Sequence, residues 1–217
     1  MQQQNFTLVL DFDGVVFHGW HHNPQYRRDW TATITEDIGF NRADLAAIFG
    51  HPDFYQLAAG KRDLREFLAV VFKDIGYAGS IDDFIAYWRR KDTRPEHLNG
   101  TLVDYAQKLR NDHGISCYLA TQQEPYRRRA IAETFNLDAL FDGAFFTCDR
   151  GVLKFDPAFY QGIANDLAVD PDTLLYFDDS PEYMAAAKTA GWNGTVYNTI
   201  TDFESHPLIA PLMDKRA

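Results

Sequence analysis

Five short runs of apolar, β-branched or aromatic residues punctuate the chain: FTLVLDF (6–12), ISCYLA (115–120), GAFFTC (143–148), TLLYFD (173–178) and GTVYN (194–198). Most are continuous rather than alternating, as strands covered on both faces of a parallel sheet are. Helical patterns lie between them. TLVDYAQKLRND (101–112) sets Leu102, Tyr105, Ala106 and Leu109 on one stripe, and YRRRAIAETFN (126–136) ends at Asn136. DPAFYQGIANDLAV (156–169) has Pro157 in a first turn, where a missing N–H costs nothing. SPEYMAAAKTAG (180–191) carries Ser180 as N-cap, Pro181 at the first position and Gly191 just past the end. Alternation of this kind from residue 100 onward predicts an α/β fold built on a doubly wound parallel sheet.

Residues 22–95 break that alternation. TATITEDIG, RADLAAIFG, HPDFYQLAAG, KRDLREFLAVVFKDIG and SIDDFIAYWRR all read as helical pieces, most of them ending near a glycine. Their position between the first strand and the next strand–helix unit places an all-helical insert above the carboxyl end of strand one. The expected organisation is an α/β core over 1–20 and 96–217 with a helical cap over 21–95. No internal repeat or low-complexity stretch is visible.

Composition narrows the function. The chain has 217 residues, 46% hydrophobic and 24% charged, enough to bury a full core without disulfides. A formal net charge of -10 argues against a nucleic-acid partner, which would demand a basic face. A small phosphate ester stays open, because a metal ion can reverse the local sign. The two cysteines, Cys117 and Cys148, form no CxxC pair and read as inert thiols of a reducing compartment. The N-terminus shows no basic leader before an apolar run, and no apolar run approaches the ~20 residues of a membrane span. A cytoplasmic protein without membrane contact is expected.

Ligands of open parallel sheets bind beyond the carboxyl ends of the strands, so the residues at those ends matter most. Strand one runs into Asp11 and Asp13, and strand two ends at Thr121. Lys154 follows strand three, and strand four ends at Asp178 and Asp179. Converged on one crevice, these give four carboxylates, one hydroxyl and one ammonium. Two unit charges ~4 Å apart cost roughly 4 kcal/mol at an effective dielectric of 20. Either some carboxyls stay protonated or a cation sits among them. Oxygen ligands without His or Cys favour Mg²⁺ over zinc. Asp11 can then bind the ion through one oxygen and attack phosphorus with the other. Asp13 is placed to protonate a leaving alkoxide and later deprotonate water. Gly14 allows the turn that brings Asp13 back toward Asp11. Thr121 can hydrogen-bond a phosphoryl oxygen, and Lys154 can neutralise developing charge.

These residues resemble, in order, the four signature motifs of the haloacid dehalogenase superfamily. DFDGVV matches the DxDx[TV] opening, and Thr121 stands at the second-motif hydroxyl. LKFDPAFY resembles the lysine segment KPdpeiY. YFDDSPEYMAAAKTAGW resembles the fourth motif, DDsxxnxxaAxxxGw. The helical insertion after the first motif resembles a type C1 cap. The resemblance implies a Rossmann-like core, Mg²⁺, aspartyl-phosphate chemistry and a small phosphorylated metabolite as partner. It implies Asp11 and Asp13 as catalytic residues, Thr121, Gln122 and Lys154 around the phosphate, and Asp11, Asp13, Asp178 and Asp179 around the metal. In that superfamily the second aspartate also offers its main-chain carbonyl to the ion, and dehalogenases lack this aspartate, so Asp13 counts against carbon–halogen cleavage. Which of Asp178 and Asp179 binds directly is open. Two positions depart from the pattern: Gln122 stands where Asn is usual and Phe155 where Pro is usual.

The function expected is a Mg²⁺-dependent phosphatase acting on a small phosphomonoester. The alternatives are phosphotransfer of the mutase type and a non-catalytic binding or regulatory protein. His18, His21 and His22 read as a loop entering the cap rather than a metal site. The YRRRA segment reads as a solvated helix face. Trp20, Tyr26, Arg27, Arg28 and Trp30 lie where a C1 cap would line its pocket.

Overall fold

Strand β1 (Thr7–Leu10) is the centre of a five-stranded sheet in the computed structural model, which describes residues 6–213. The remaining strands are β2 (Cys117–Thr121), β3 (Gly143–Phe146), β4 (Leu174–Asp178) and β5 (Asn193–Val196). Their order is β3-β2-β1-β4-β5, and every pairing is parallel. The chain runs outward from β1 to one edge, then returns to β4 on the other side of β1. This reversal is the topological switch point, where an α/β sheet opens a crevice. The absence of a leader read at residues 1–5, and the outer ends of the expected core, lie outside the described residues.

The continuous apolar runs have the predicted cause. Leu8, Leu10, Cys117, Leu119, Leu175 and Phe177 face one layer, with helices Gly100–His113 and Pro125–Phe135 packed against it. Val9, Ala120, Leu174 and Tyr176 face the other, under helices Pro157–Leu167 and Pro181–Thr189. Both sides are dry, so neither set of alternate positions can be polar. Complete burial of each of the valine, leucine and phenylalanine side chains is worth about 1.5–3 kcal/mol. Two strand limits differ from the sequence reading. β1 stops at Leu10, so Asp11 and Phe12 belong to the turn that follows. The third run stops at Phe146, because Thr147–Arg150 winds into a helical turn that takes Cys148 with it.

Residues between β1 and β2 are helical. The two long helices, Leu64–Ile75 and Ile81–Asp92, carry good terminal signals. Asp63 and Ser80 cap their N-termini, and Gly76 closes the first in the left-handed conformation. Phe67, Leu68, Val71 and Phe72 meet Phe84, Tyr87 and Trp88 in a core separate from the two beside the sheet. The helical segment touches the α/β body through polar anchors. Thr147 Oγ1 donates to the Ala58 carbonyl at 2.7 Å, and Arg127 Nε donates to Asp92 Oδ2 at 2.6 Å. No helix among the described residues is long and apolar enough to cross a membrane.

Candidate active site

The turn after β1 is built by Gly14. Its φ of +78° is accessible to glycine, and a Cβ there would overlap the Asp179 carboxylate. Gly14 N–H donates to the Phe17 carbonyl at 2.9 Å, and Phe17 N–H to the Phe12 carbonyl at 2.7 Å. This tight return seats Asp11 beside the end of β4, where its N–H donates to the Phe177 carbonyl at 2.9 Å.

Asp11, Asp178 and Asp179 are all buried, and they present carboxylate oxygens within 4.8 Å of one another. Lys154 faces them, fully buried, with Nζ 2.8 Å from Asp11 Oδ1 and 2.6 Å from Asp178 Oδ2. Neither Lys154 Nζ nor Asp11 Oδ1 is aligned for a hydrogen bond. Asp178 is fixed by the Ser180 N–H, 2.8 Å from Oδ1, and by the Tyr176 hydroxyl, which donates to Oδ2. Asp179 accepts from the His22 N–H.

Three carboxylates against one ammonium leave a negative surplus, which acts beside burial on Asp11, Asp179 and Lys154. Burial, then the charges of Asp178 and Asp179, push the Asp11 carboxyl well above its usual range, although Lys154 pulls the other way. Burial raises Asp179 to about 7, with Asp178 adding to the rise. Burial works against the Lys154 charge, but Asp11 and Asp178 outweigh it and hold the ammonium charged. An oxygen-lined, electron-rich cluster with an unaligned buried carboxylate oxygen is a chemical fit for a small divalent cation.

Asp13 is two residues from Asp11 but lies outside that cluster of three. Arg127 grips both its oxygens, with Nη1 2.6 Å from Oδ2 and Nη2 2.7 Å from Oδ1. Gln123 Nε2 also donates to Oδ2 at 2.7 Å. The same guanidinium reaches Asp92, the last residue of a cap helix. The YRRRA segment is therefore not a solvated face at Arg127, whose side chain is only 11% exposed. The cause is helical phase. Arg127, Ile131 and Phe135 share one stripe at a spacing of four, so the stripe that packs on the sheet begins with the arginine. Arg128 pairs with Asp149 at the surface and Arg129 is exposed, as expected.

Thr121 is buried at the end of β2, and its Oγ1 accepts from Gln123 Nε2 at 2.9 Å, which leaves its own proton to give. The Gln122 side chain is used internally: Oε1 accepts from the Lys154 N–H at 3.1 Å, and Nε2 donates to the Tyr183 hydroxyl at 3.1 Å. Gln122 thus sets the position of Lys154. Phe155, exposed, packs edge-on against Tyr55 of the cap at 5.5 Å. The histidine loop divides. His18 N–H donates to the His97 carbonyl, while His21 is buried with Nδ1 3.4 Å from Asp179 Oδ2. That nitrogen accepts the Asn23 N–H, and burial lowers the His21 pKa, so the ring is neutral. Arg27 braces the loop by donating to the His21 and His22 carbonyls.

A cavity of about 420 Å³ opens from Asp11, Asp13, Thr121, Lys154 and Asp179 toward the helical cap. Gln123, Arg127 and Asp92 were not among the residues expected at the site. Of these, Arg127 and Asp92 carried a readable signal, since each ends an apolar stripe of its helix. Gln123 carried none.

Comparison with known proteins agrees with this architecture. The family model of haloacid dehalogenase-like hydrolases matches residues 7–191, and the chain belongs to that family. Enolase-phosphatase E1 of Yersinia pestis is 28% identical over 111 residues, which are 49% of this chain and 48% of that protein, so the chain matches about half its length. A sesquiterpene phosphatase of Aspergillus oryzae is 22% identical over 188 residues, covering 87% of each. A haloacid dehalogenase family enzyme of Bacteroides thetaiotaomicron, solved as a magnesium complex, superposes with a TM-score of 0.70 at 18% identity, covering 88% of this chain and 92% of that one. A related hydrolase of Porphyromonas gingivalis gives 0.70 at 21% identity over 98% and 100%. At these identities the structural likeness establishes the fold.

Proposed function

We propose that this protein is a Mg²⁺-dependent phosphatase that hydrolyses a small phosphomonoester through an aspartyl phosphate on Asp11, with residues 21–95 as the cap over its substrate. The observation that carries the reading is the meeting of Asp11, Asp178 and Asp179 within 4.8 Å, with Asp11 and Asp179 on the wall of a cavity that Asp13, Thr121 and Lys154 also line. The two curated relatives named above are both phosphatases. The Bacteroides neighbour was also solved with magnesium and inorganic phosphate together.

Asp11, Asp178 and Asp179 would hold the ion, with Asp13 offering its main-chain carbonyl. Bound there, Mg²⁺ supplies positive charge that lets the carboxylates coexist and draws the phosphoryl group in. The free oxygen of Asp11 attacks phosphorus as the bond to the leaving alcohol breaks. Lys154 and the Thr121 hydroxyl stabilise charge on the phosphoryl oxygens. Asp13, protonated from solvent once an oxygen leaves Arg127, gives that proton to the departing alkoxide, then takes one from the water that cleaves the Asp11–phosphorus bond. Phosphate leaves and Asp11 is restored. Because Arg127 holds both Asp13 oxygens, proton transfer requires one of them to come free. The unpaired Cys117 and Cys148, each with a thiol pushed up to about 12 by burial, suit a reducing cytoplasm. The acidic chain does not suit nucleic acid. Phosphate release from 4-nitrophenyl phosphate with Mg²⁺ tests the proposal: wild type turns over and Asp11→Asn does not. Equal rates in the two would refute it.

A further inference from the structure

The part of the cavity that would receive the alcohol of the ester is distinctive, and it narrows the substrate class on the hydrolase reading above. Its walls beyond the carboxylates are Trp20, Trp30, Phe49, Phe54, Tyr55 and Trp88. Four of them form one connected aromatic cluster, and Trp20 and Tyr55 add to the lining. Trp30 stacks on Trp88 at 5.9 Å with an interplanar angle of 17°, and Phe49 meets Trp88 edge-on at 5.4 Å and Phe54 at 5.3 Å. Three of the five most exposed aromatic side chains among the described residues line it: Trp20 is 48% exposed, Phe49 38% and Tyr55 50%. Of the other two, Phe155, 43% exposed, packs on Tyr55, and Tyr26, 40% exposed, packs on His21. Large apolar side chains left open to water in one patch mark a surface that a ligand covers.

The charged groups facing the cavity point the same way. Its cations are Lys154 and Arg127. Lys154 is held between Asp11 and Asp178, and Arg127 takes Asp13, Asp92 and Gln123. Among the lining residues no cation is free to meet a second phosphate or a carboxylate on the alcohol. The remaining acid, Glu124, is consumed as the N-cap of helix Pro125–Phe135, accepting the N–H of Tyr126 and of Arg127. The amides of Gln122 and Gln123 are engaged within the protein, so the free polar atoms of these walls come down to three indole N–H groups and the Tyr55 hydroxyl, too few for a polyhydroxylated sugar, and each unmatched hydroxyl loses the water it leaves. We infer that the leaving alcohol is uncharged and predominantly apolar, aryl or long-chain alkyl in kind, and that the cap's aromatic walls select it over sugar and acidic phosphoesters.

Two measurements separate this inference from the hydrolase reading. Titration with 2-naphthol, which carries no phosphate, probes the cavity alone through quenching of tryptophan fluorescence. Saturable quenching is expected, at least fivefold weaker in Tyr55→Ala and in Phe49→Ala, both half-exposed positions whose folding is checked by thermal melting. Phosphate release with Mg²⁺ is then compared among 2-naphthyl phosphate, glucose 6-phosphate and 3-phosphoglycerate. The naphthyl ester is expected to lead by at least tenfold in kcat/KM, and Tyr55→Ala to narrow that lead. Absence of saturable quenching, or preference for the sugar or acidic ester, overturns the inference. Saturable quenching without phosphate release from any ester overturns the hydrolase reading and supports the apolar cavity on its own.

Discussion

Asp11 and Asp13 are two residues apart, yet they occupy opposite electrostatic regimes. Asp11 sits with two further buried carboxylates and one lysine, a set short of positive charge. Asp13 sits with Arg127, Gln123 and, across the same guanidinium, Asp92, a set in which each carboxylate has a directed partner. The turn they enter, closed by Gly14 just after Asp13, leaves the Asp11 side chain toward β4 and the Asp13 side chain toward the first turn of helix Pro125–Phe135. Residue type is identical in the two places. What differs is which cations the fold delivers. The first set is unfinished and calls for an ion, whereas the second is finished and links the chemistry to the cap through Asp92.

The sharpest way to break this comparison is to neutralise each aspartate in turn. Asp11→Asn removes the proposed nucleophile, and phosphate release is expected to fall at least about 10⁴-fold. Asp13→Asn keeps the shape but removes the proposed proton carrier, with an expected loss of about 10²–10⁴-fold. Equal losses in binding rather than turnover would erase the distinction. Arg127→Met comes next and should cost about 3–5 kcal/mol in denaturant unfolding, because Asp92 is left buried without its partner. Adding Asp92→Leu should recover part of that loss, since an apolar pair can replace a buried ionic one. If the single variant is as stable as wild type, the second set is not the closed unit described here.

Smaller effects come from the first set. Mg²⁺ at a hundred times its dissociation constant should stabilise the protein by about 2.7 kcal/mol, seen as a rise in melting temperature. Asp178→Asn and Asp179→Asn should lose most of that rise. The pH dependence has a definite sign. The Asp179 carboxyl is raised to about 7 by burial first, so without the ion its contribution to stability is full at low pH and is lost as pH rises through about 7. The ion needs the ionised form, so calorimetry should show Mg²⁺ binding more weakly at pH 6 than at pH 8, with proton release at the lower pH. His206, near Phe177 and far from the carboxylates in sequence, runs the other way. Burial lowers its pKa below 6.5, so its contribution is present above that pH and fades on acidification. His206→Gln should flatten the acid limb of a melting curve slightly and leave Mg²⁺ binding alone.

Much of this is legible in the sequence. The doubly wound sheet followed from unbroken apolar runs separated by capped helical patterns, because a strand buried on two faces has no room for polar positions. Strand ends were less exact. Phe146 ends β3 although the apolar run continues, since Cys148 is drawn into a helical turn whose Thr147 anchors the cap. Candidate residues of the site were readable because they stand at strand ends, which the topology brings to one edge. Arg127 was misread because three consecutive arginines look like a wet surface, and only the phase of Ile131 and Phe135 shows which of them turns inward.

Local pattern along the chain sets the class of fold and the residues at the strand ends, and the count of charges sets a surplus of acid among them that protonation or a cation must answer. Tertiary structure alone decided which carboxylates share a space, which arginine answers Asp13, and that six aromatic rings from separate helices and loops close over one cavity. Those outcomes rest on distances between side chains far apart along the chain. A one-dimensional pattern fixes which groups are present and in what order, and only packing fixes how near they come.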